Sequence, residues 1–275
     1  MVLWHKPVDV RGRLTTPPAF VVQKDFGKEI MSKILLFIMG LLHILYPKRC
    51  PICDRVLKTP AFSGEYPICG SCREKAEYAA EPVCKKCGKP LTDQRREYCG
   101  DCTRHAHSFT QGKALWVYRG CVKESVYRLK YSNRREYGKS YAQELARQYG
   151  RWIRQKGVQA IIPIPLHKKR QRQRGYNQAE IIARELGRLL ELPVCAGLLV
   201  RCADTRPQKE LDDRERKANL KKAFRVNGDT EGLERVLLVD DIYTTGSTMD
   251  GAAEVLKRAG VPEIYVISVS IGRGY

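Results

Sequence analysis

Apolar and polar positions change rhythm several times along the chain. Between Lys33 and Pro47 the rhythm is helical. Ile34, Phe37, Ile38, Leu41, Leu42 and Leu45 recur on one face, while Ser32, Gly40 and His43 fall off it. The off-core face carries almost no Lys or Arg, so the spacing predicts a short helix packed on the domain that follows rather than one lying on a membrane. Past residue 106 a strand-like run at Ala114–Arg119 precedes one or two helices from Val122 to about Arg154. Ala160–Leu166 reads as a strand, Gln178–Leu190 as a helix and Pro193–Val200 as another strand. A polar loop is expected from Cys202 to about Leu220, then a buried strand at Val236–Val239. Met249–Ala259 is expected as a helix closed by Gly260, and Ile264–Ser270 as a last strand. Strands alternating with helices predict a parallel sheet in an α/β domain.

Residues 1–30, interrupted by Pro and charge, have neither period and read as an irregular extension; Met31 itself would serve as a translation start. The expected organisation is therefore an extension over 1–30, an apolar helix over 31–48, a Cys-rich module over 49–106 and an α/β domain over 107–275. Hydrophobic residues make up 43% of the 275, which supports a real core and excludes a disordered polymer. No window is apolar for long enough to span a bilayer, so no stable membrane insertion is expected. Lys and Arg number 50 against 30 Asp and Glu, a formal charge of +20 that predicts anionic partners, phosphorylated small molecules or nucleic acid.

Eight of the eleven cysteines fall in four C-x-x-C pairs: Cys50/Cys53, Cys69/Cys72, Cys84/Cys87 and Cys99/Cys102. Two residues between thiolates let one tight knuckle supply two tetrahedral zinc ligands, so the pairs read as metal sites in a reducing cytoplasm; disulfides or redox pairs are the lesser readings. A faint repeat, CPICDRVL with ICGSCR and then CKKCGKPL with YCGDCT, favours two structural zinc ions bound in sequence. A cross-braced pairing stays open. Gly88, just after its pair, stands where such knuckles want a positive φ.

The segment RVLLVDDIYTTGSTM, Arg235–Met249, runs from an apolar strand into two acids, then a hydroxyl-rich turn around one glycine, then a helix. Backbone amides and the hydroxyls of Thr244, Thr245, Ser247 and Thr248 can wrap a phosphate at a positive helix end, with Gly246 permitting close approach. Asp240 and Asp241 can accept hydrogen bonds from vicinal sugar hydroxyls. This order resembles the phosphoribosyl pyrophosphate (PRPP) loop of type I phosphoribosyltransferases, with Tyr243 where an aliphatic residue is usual. Upstream, IIPIPL is followed by HKKRQRQRGYNQAE. In the resembled fold Lys168, Lys169, Arg170, Arg172 and Arg174 would neutralise the pyrophosphate together with Mg²⁺. Thr205–Phe224 reads as a mobile lid, with Lys209, Arg214 and Arg216 as anion contacts, or as a solvated loop.

Four C-x-x-C pairs, LKY (Leu129–Tyr131), PIPLHKKRQRQRGYNQA, TRPQ and VDDIYTTGST together resemble the ComF family of competence-associated, phosphoribosyltransferase-like proteins, from about residue 31 onward. The resemblance implies a zinc-binding module before a type I phosphoribosyltransferase-like domain that binds PRPP. It also implies a role in natural transformation, with single-stranded DNA as a partner and a DNA-uptake helicase or recombination protein as another. Trp116, Tyr118 and Tyr131 are candidate base-stacking residues. The alternatives are an active phosphoribosyltransferase of nucleotide or cofactor salvage, with Asp240 and Asp241 as its catalytic residues, and a non-catalytic PRPP sensor. With the last predicted strand close to Tyr275, any hood over an acceptor base is expected from the N-terminal module or a partner.

Overall fold

The computed structural model describes residues 26–45, 47–57, 68–202 and 223–273. The chain divides into two compact units, Met1–Tyr46 and Pro47–Tyr275. In the first, helix α1 spans Phe26–Leu45, beginning upstream of Met31 inside the stretch expected to be irregular. Met31, Leu35, Phe37 and Leu45 on it are exposed. Among the described residues no helix is long and apolar enough to cross a membrane.

The second unit runs α2 (Gly70–Lys75), α3 (Gly100–Arg104), β1 (Gln111–Val117), α4 (Gly120–Tyr131), α5 (Tyr137–Gln155), β2 (Ala160–Pro163) and α6 (Lys168–Arg174). Then follow α7 (Gln178–Leu190), β3 (Leu199–Arg201), β4 (Phe224–Val226), β5 (Arg235–Tyr243), α8 (Ser247–Arg258) and β6 (Glu263–Ile271). Four strands form a wholly parallel sheet in the order β1-β6-β5-β2. Both faces are covered, and the two-residue period of a strand deals alternate side chains to each. Leu237 and Val239 of β5 join Tyr141, Leu145, Ile182 and Leu186 from α5 and α7. Val236 and Leu238 join Met249, Ala252 and Leu256 from α8. The strand expected at Pro193–Val200 is broken up around Pro193 and Gly197. Val194 makes one parallel bridge to Ile161, and Leu199–Arg201 pairs antiparallel with β4. The expected lid, with Lys209, Arg214 and Arg216, lies outside the described residues up to its last two positions.

The cysteine module is built into this unit. Its first half packs on the α4–α5 face: Ser125 Oγ donates to Pro51 O, Arg128 to Ile52 O, and Asp54 accepts from Arg134 Nη2 at 3.0 Å and from the Tyr137 hydroxyl. Asp54 occupies the positive-φ position of this knuckle, at φ 61°. Its counterpart Gly88 has φ 80°, and a Cβ there would sit 3.0 Å from Gly112 O on β1. This second half packs on the α8 face, where Cys84, Cys87 and Cys99 join the cluster that contains Met249. Between the halves, the stretch around Tyr78 lies along the free edge of β1. Val117 N donates to Glu77 O at 2.8 Å and Ala79 N to Leu115 O at 3.0 Å. The module thus covers an open sheet edge and both flanks beside it.

Candidate functional site

Where β2 stops decides where the site opens. The β2–β5 ladder ends at Pro163 opposite Val239, and one further bond joins Ile164 N to Val239 O at 2.9 Å. Strand β5 continues alone on that side through Asp240 and Asp241, so the acids stand at the carboxyl end of the sheet beside a missing neighbour, the usual ligand-binding position of open parallel sheets. They are still inside the strand, whereas the sequence placed them at its tip. Strand alternation therefore separates them. Asp241, 7% exposed, goes to the α4 face, where Lys130 Nζ lies 2.9 Å from its carboxylate. Asp240, half-buried, accepts the Asp241 backbone N–H at 2.8 Å. Burial first, and the charge of Asp241 second, push the Asp240 carboxyl from the ordinary 3.8 up to about 7, against the opposing pull of Lys130.

Beyond Tyr243 the chain turns through exposed Thr244 and Thr245 into Gly246, whose φ of 83° places it in the left-handed region as the cap of α8. Thr245 Oγ1 and Ser247 Oγ lie 2.8 Å apart, and Ser247 and Thr248 begin the helix with their amides facing the turn. In the first turn, Asp250 is held by His107 Nδ1 at 2.7 Å and Ser108 N at 2.8 Å, so its charge is already engaged. The predicted phosphate residues Thr244, Thr245, Gly246, Ser247 and Thr248 thus form one continuous turn.

Tyr243 of β5 forms the floor of that turn and links it to the second cysteine knuckle. Tyr243 is buried under Gly246: a methyl group on Gly246 would overlap the tyrosine hydroxyl and lie 3.0 Å from His107 Cε1. Burial pushes the Tyr243 hydroxyl up beyond its ordinary range. Phe109 meets the Tyr243 ring edge-on at 6.2 Å, and buried Lys89 lies 6.0 Å from the ring centre while pairing with Asp101 at 2.5 Å. Lys89 follows Gly88, and Asp101 sits between Cys99 and Cys102. The departure at Tyr243 is therefore a contact with the metal module.

Lys168, Lys169, Arg170, Arg172 and Arg174 lie on a short helix, α6, rather than on a loop. It begins just past β2 and ends at Gly175, φ 75°. Lys168, Lys169 and Arg172 are exposed; Arg170 and Arg174 are half-buried. Of the stacking candidates, Trp116 is corrected outright: it is fully buried between Tyr78 and Tyr141. Tyr118 is half-buried and Tyr131 exposed.

The cysteines resolve the pairing question. Cys50, Cys53, Cys69 and Cys72 form one cluster and Cys84, Cys87, Cys99 and Cys102 the other, with sulfurs in each within 4.8 Å of one another. Cys53 and Cys69 Sγ are 3.7 Å apart, as are Cys87 and Cys99 Sγ. Four thiolates about 2.3 Å from a tetrahedral zinc stand about 3.8 Å apart, so both clusters fit that ion. The pairing is sequential, and two closed Cys₄ sites leave no position for substrate. Cys121 and Cys195 are half-buried and Cys202 exposed, outside either cluster.

A model of the double zinc ribbon domain matches residues 41–103. Competence protein F of Haemophilus influenzae is 31% identical over 232 residues, covering 82% of this chain and 92% of that protein. The chain belongs to the ComF family. DNA utilization protein YhgH of Escherichia coli K12 is 29% identical, over 80% of this chain and 95% of that protein. Competence protein ComFC of Bacillus subtilis is 28% identical, over 70% and 79%. Among solved structures, a purine phosphoribosyltransferase from Pyrococcus horikoshii overlaps 48% of this chain and 73% of its own, at 18% identity and TM-score 0.32. An adenine phosphoribosyltransferase from Leishmania tarentolae overlaps 51% and 73%, at 14% and 0.33. These overlaps are partial, and the α/β assignment stands on the sheet's own strand order and parallel register.

Several residues that shape the site were not singled out by sequence. Lys130 was visible only as the middle of LKY. His107 and Asp250, 143 positions apart, carried no local signal at all.

Proposed function

We propose that this ComF protein acts in DNA uptake, binding PRPP with Mg²⁺ at Asp240–Thr248 and single-stranded DNA on its basic surface. The observation that supports the sugar-phosphate site best is the acid pair on β5 beyond the end of β2, continuing into an exposed hydroxyl–glycine turn at the start of α8. Asp241 is balanced by Lys130, which leaves Asp240 as the stronger acceptor for pentose hydroxyls. The turn amides and hydroxyls take the 5′-phosphate. The α6 cations start from the neighbouring strand at the same end of the sheet and suit the pyrophosphate. Mg²⁺ would supply further neutralisation of that leaving group. The competence and DNA-utilization names of the relatives support the cellular role, and the +20 charge supports a polyanionic partner.

Calorimetric titration of PRPP with and without Mg²⁺ tests the site. Binding should require Mg²⁺ and vanish in the Asp240→Ala/Asp241→Ala double variant; undiminished binding in that variant would mean the sugar site is elsewhere. The second reading is catalysis, transfer of phosphoribose to a nitrogen acceptor. Its support is the presence of both an acid pair and a pyrophosphate-sized cation cluster. Pyrophosphate release on adding nucleobases to the PRPP complex would favour it, and PRPP binding without release would favour a sensor.

A further inference from the structure

Among the described residues of Pro47–Tyr275 few large apolar side chains are strongly exposed: Val56, Tyr98, Tyr127 and Tyr131. Two of these four are neighbours. Tyr127 and Tyr131, one turn apart on α4, are 60% and 58% exposed, with ring centres 4.7 Å apart and planes tilted by 43°. An exposed aromatic pair forgoes the burial that usually holds such side chains, which marks the surface as one that meets a ligand.

Its surroundings identify the ligand's chemistry. Arg174, the last residue of α6, lies 5.0 Å from the Tyr131 ring centre, and its Nη2 donates to the Tyr131 hydroxyl at 3.1 Å. Its Nη1 is held by Gln178 Oε1 at 3.0 Å, which fixes the guanidinium in place. The whole of α6, KKRQRQR, contains no acid. On α4 itself Glu124 pairs with Arg128, and past the helix end Glu136 pairs with Arg134. Lys130, between the two tyrosine turns, points the other way to Asp241. Flat π-faces beside a row of cations suit a chain of unpaired bases on a phosphate backbone. They suit a duplex poorly, because its bases are already stacked.

We propose that Tyr127, Tyr131 and Arg174 form a base-stacking platform for single-stranded nucleic acid, whose phosphates follow α6 through Lys168, Lys169 and Arg172, so that the strand and the pyrophosphate of PRPP compete for these cations. The inference rests on the single-strand reading above and gives it a location, on α4 and α6.

Fluorescence anisotropy of labelled oligo-dT across a salt series tests it on the full-length, zinc-loaded protein, with oligo-rU and a duplex as further arms. Tyr127→Ala and Tyr131→Ala should each weaken single-strand binding roughly 5- to 150-fold at any one salt concentration, with an unchanged salt slope. Tyr131→Phe should retain most of the affinity, and duplex binding should not respond to either alanine. Arg172→Gln should instead lower the salt slope by about one. Thermal midpoints and zinc content verify that the variants fold, and PRPP affinity does so for the two tyrosine variants. A wild-type protein that binds no single strand overturns both the partner and the platform. Single-strand binding unaffected by both alanine variants overturns the platform alone. Equal losses for duplex and strand would reduce it to plain charge and overturn it as well.

Discussion

Asp240 lets a residue of the proposed sugar site be weighed as a stability term. Its folded value of about 7 against an ordinary 3.8 means that the native state prefers the protonated acid. That gap corresponds to a ceiling of ~4 kcal/mol of destabilisation once the group is ionised. The sign follows from linkage. With the folded value raised, the native state gains relative stability below about pH 4 and loses it progressively until pH passes about 7. Asp240→Asn keeps the shape, removes the charge, and should therefore stabilise the protein in neutral and alkaline buffer. The gain should grow by ~2.3 kcal/mol between pH 5 and pH 7, by a further ~0.4 kcal/mol to pH 8, and level off beyond. Urea unfolding of both proteins at fixed zinc, at pH 5, 6, 7 and 8, reads this directly, since titrating groups that do not interact with Asp240 cancel between them. A gain that does not change with pH, or a loss at pH 8, would refute the reasoning. The same variant should lose PRPP affinity, and wild-type affinity should rise as pH climbs through 7, because an ionised carboxylate accepts hydroxyl hydrogen bonds best.

Gly246→Ala should cost ~1–2 kcal/mol from its positive φ alone, plus the overlap with Tyr243. Combined with Tyr243→Phe, which deletes the overlapping hydroxyl, part of that loss should return; urea midpoints that simply add would remove this contact from the account. Cys99→Ser should reduce bound zinc from two to one per chain and also weaken PRPP binding, although no cysteine reaches the turn, because Lys89, Asp101 and Tyr243 carry the disturbance to Gly246. Metal analysis alongside calorimetry checks both, and full PRPP affinity at one zinc would sever the two sites.

Much of this was legible along the chain, and the misses share a cause. Helix α7 matches its expected span because its apolar period, the Asn177 cap and the turn after Leu190 agree. The positive φ at Gly88 followed from local spacing, whereas the faint repeat only favoured the sequential cysteine pairing and the structure decides it. Helix α6 was not read as one, because KKRQRQR has no apolar period, yet Lys, Arg and Gln are strong helix formers and His167 and Gly175 cap it. Hairpin β3–β4 joins segments on either side of a long polar stretch, a pairing with no local signature. Trp116 looked available for stacking because alternation cannot tell which face of a strand is covered; here both are. Lys130–Asp241 and His107–Asp250 are meetings of distant segments, set by how the helices pack on the sheet.

The strip of chain along β1 changes what metal starvation would do to this protein. A finger hanging from a linker can melt and leave its neighbour intact. Here the thiolate clusters anchor both ends of a strip whose middle supplies β1 with its outer hydrogen bonds, so demetallation would bare a largely apolar strand edge ready to pair with a copy of itself. Cells short of zinc should accumulate this chain as insoluble assemblies rather than as a soluble, inactive monomer.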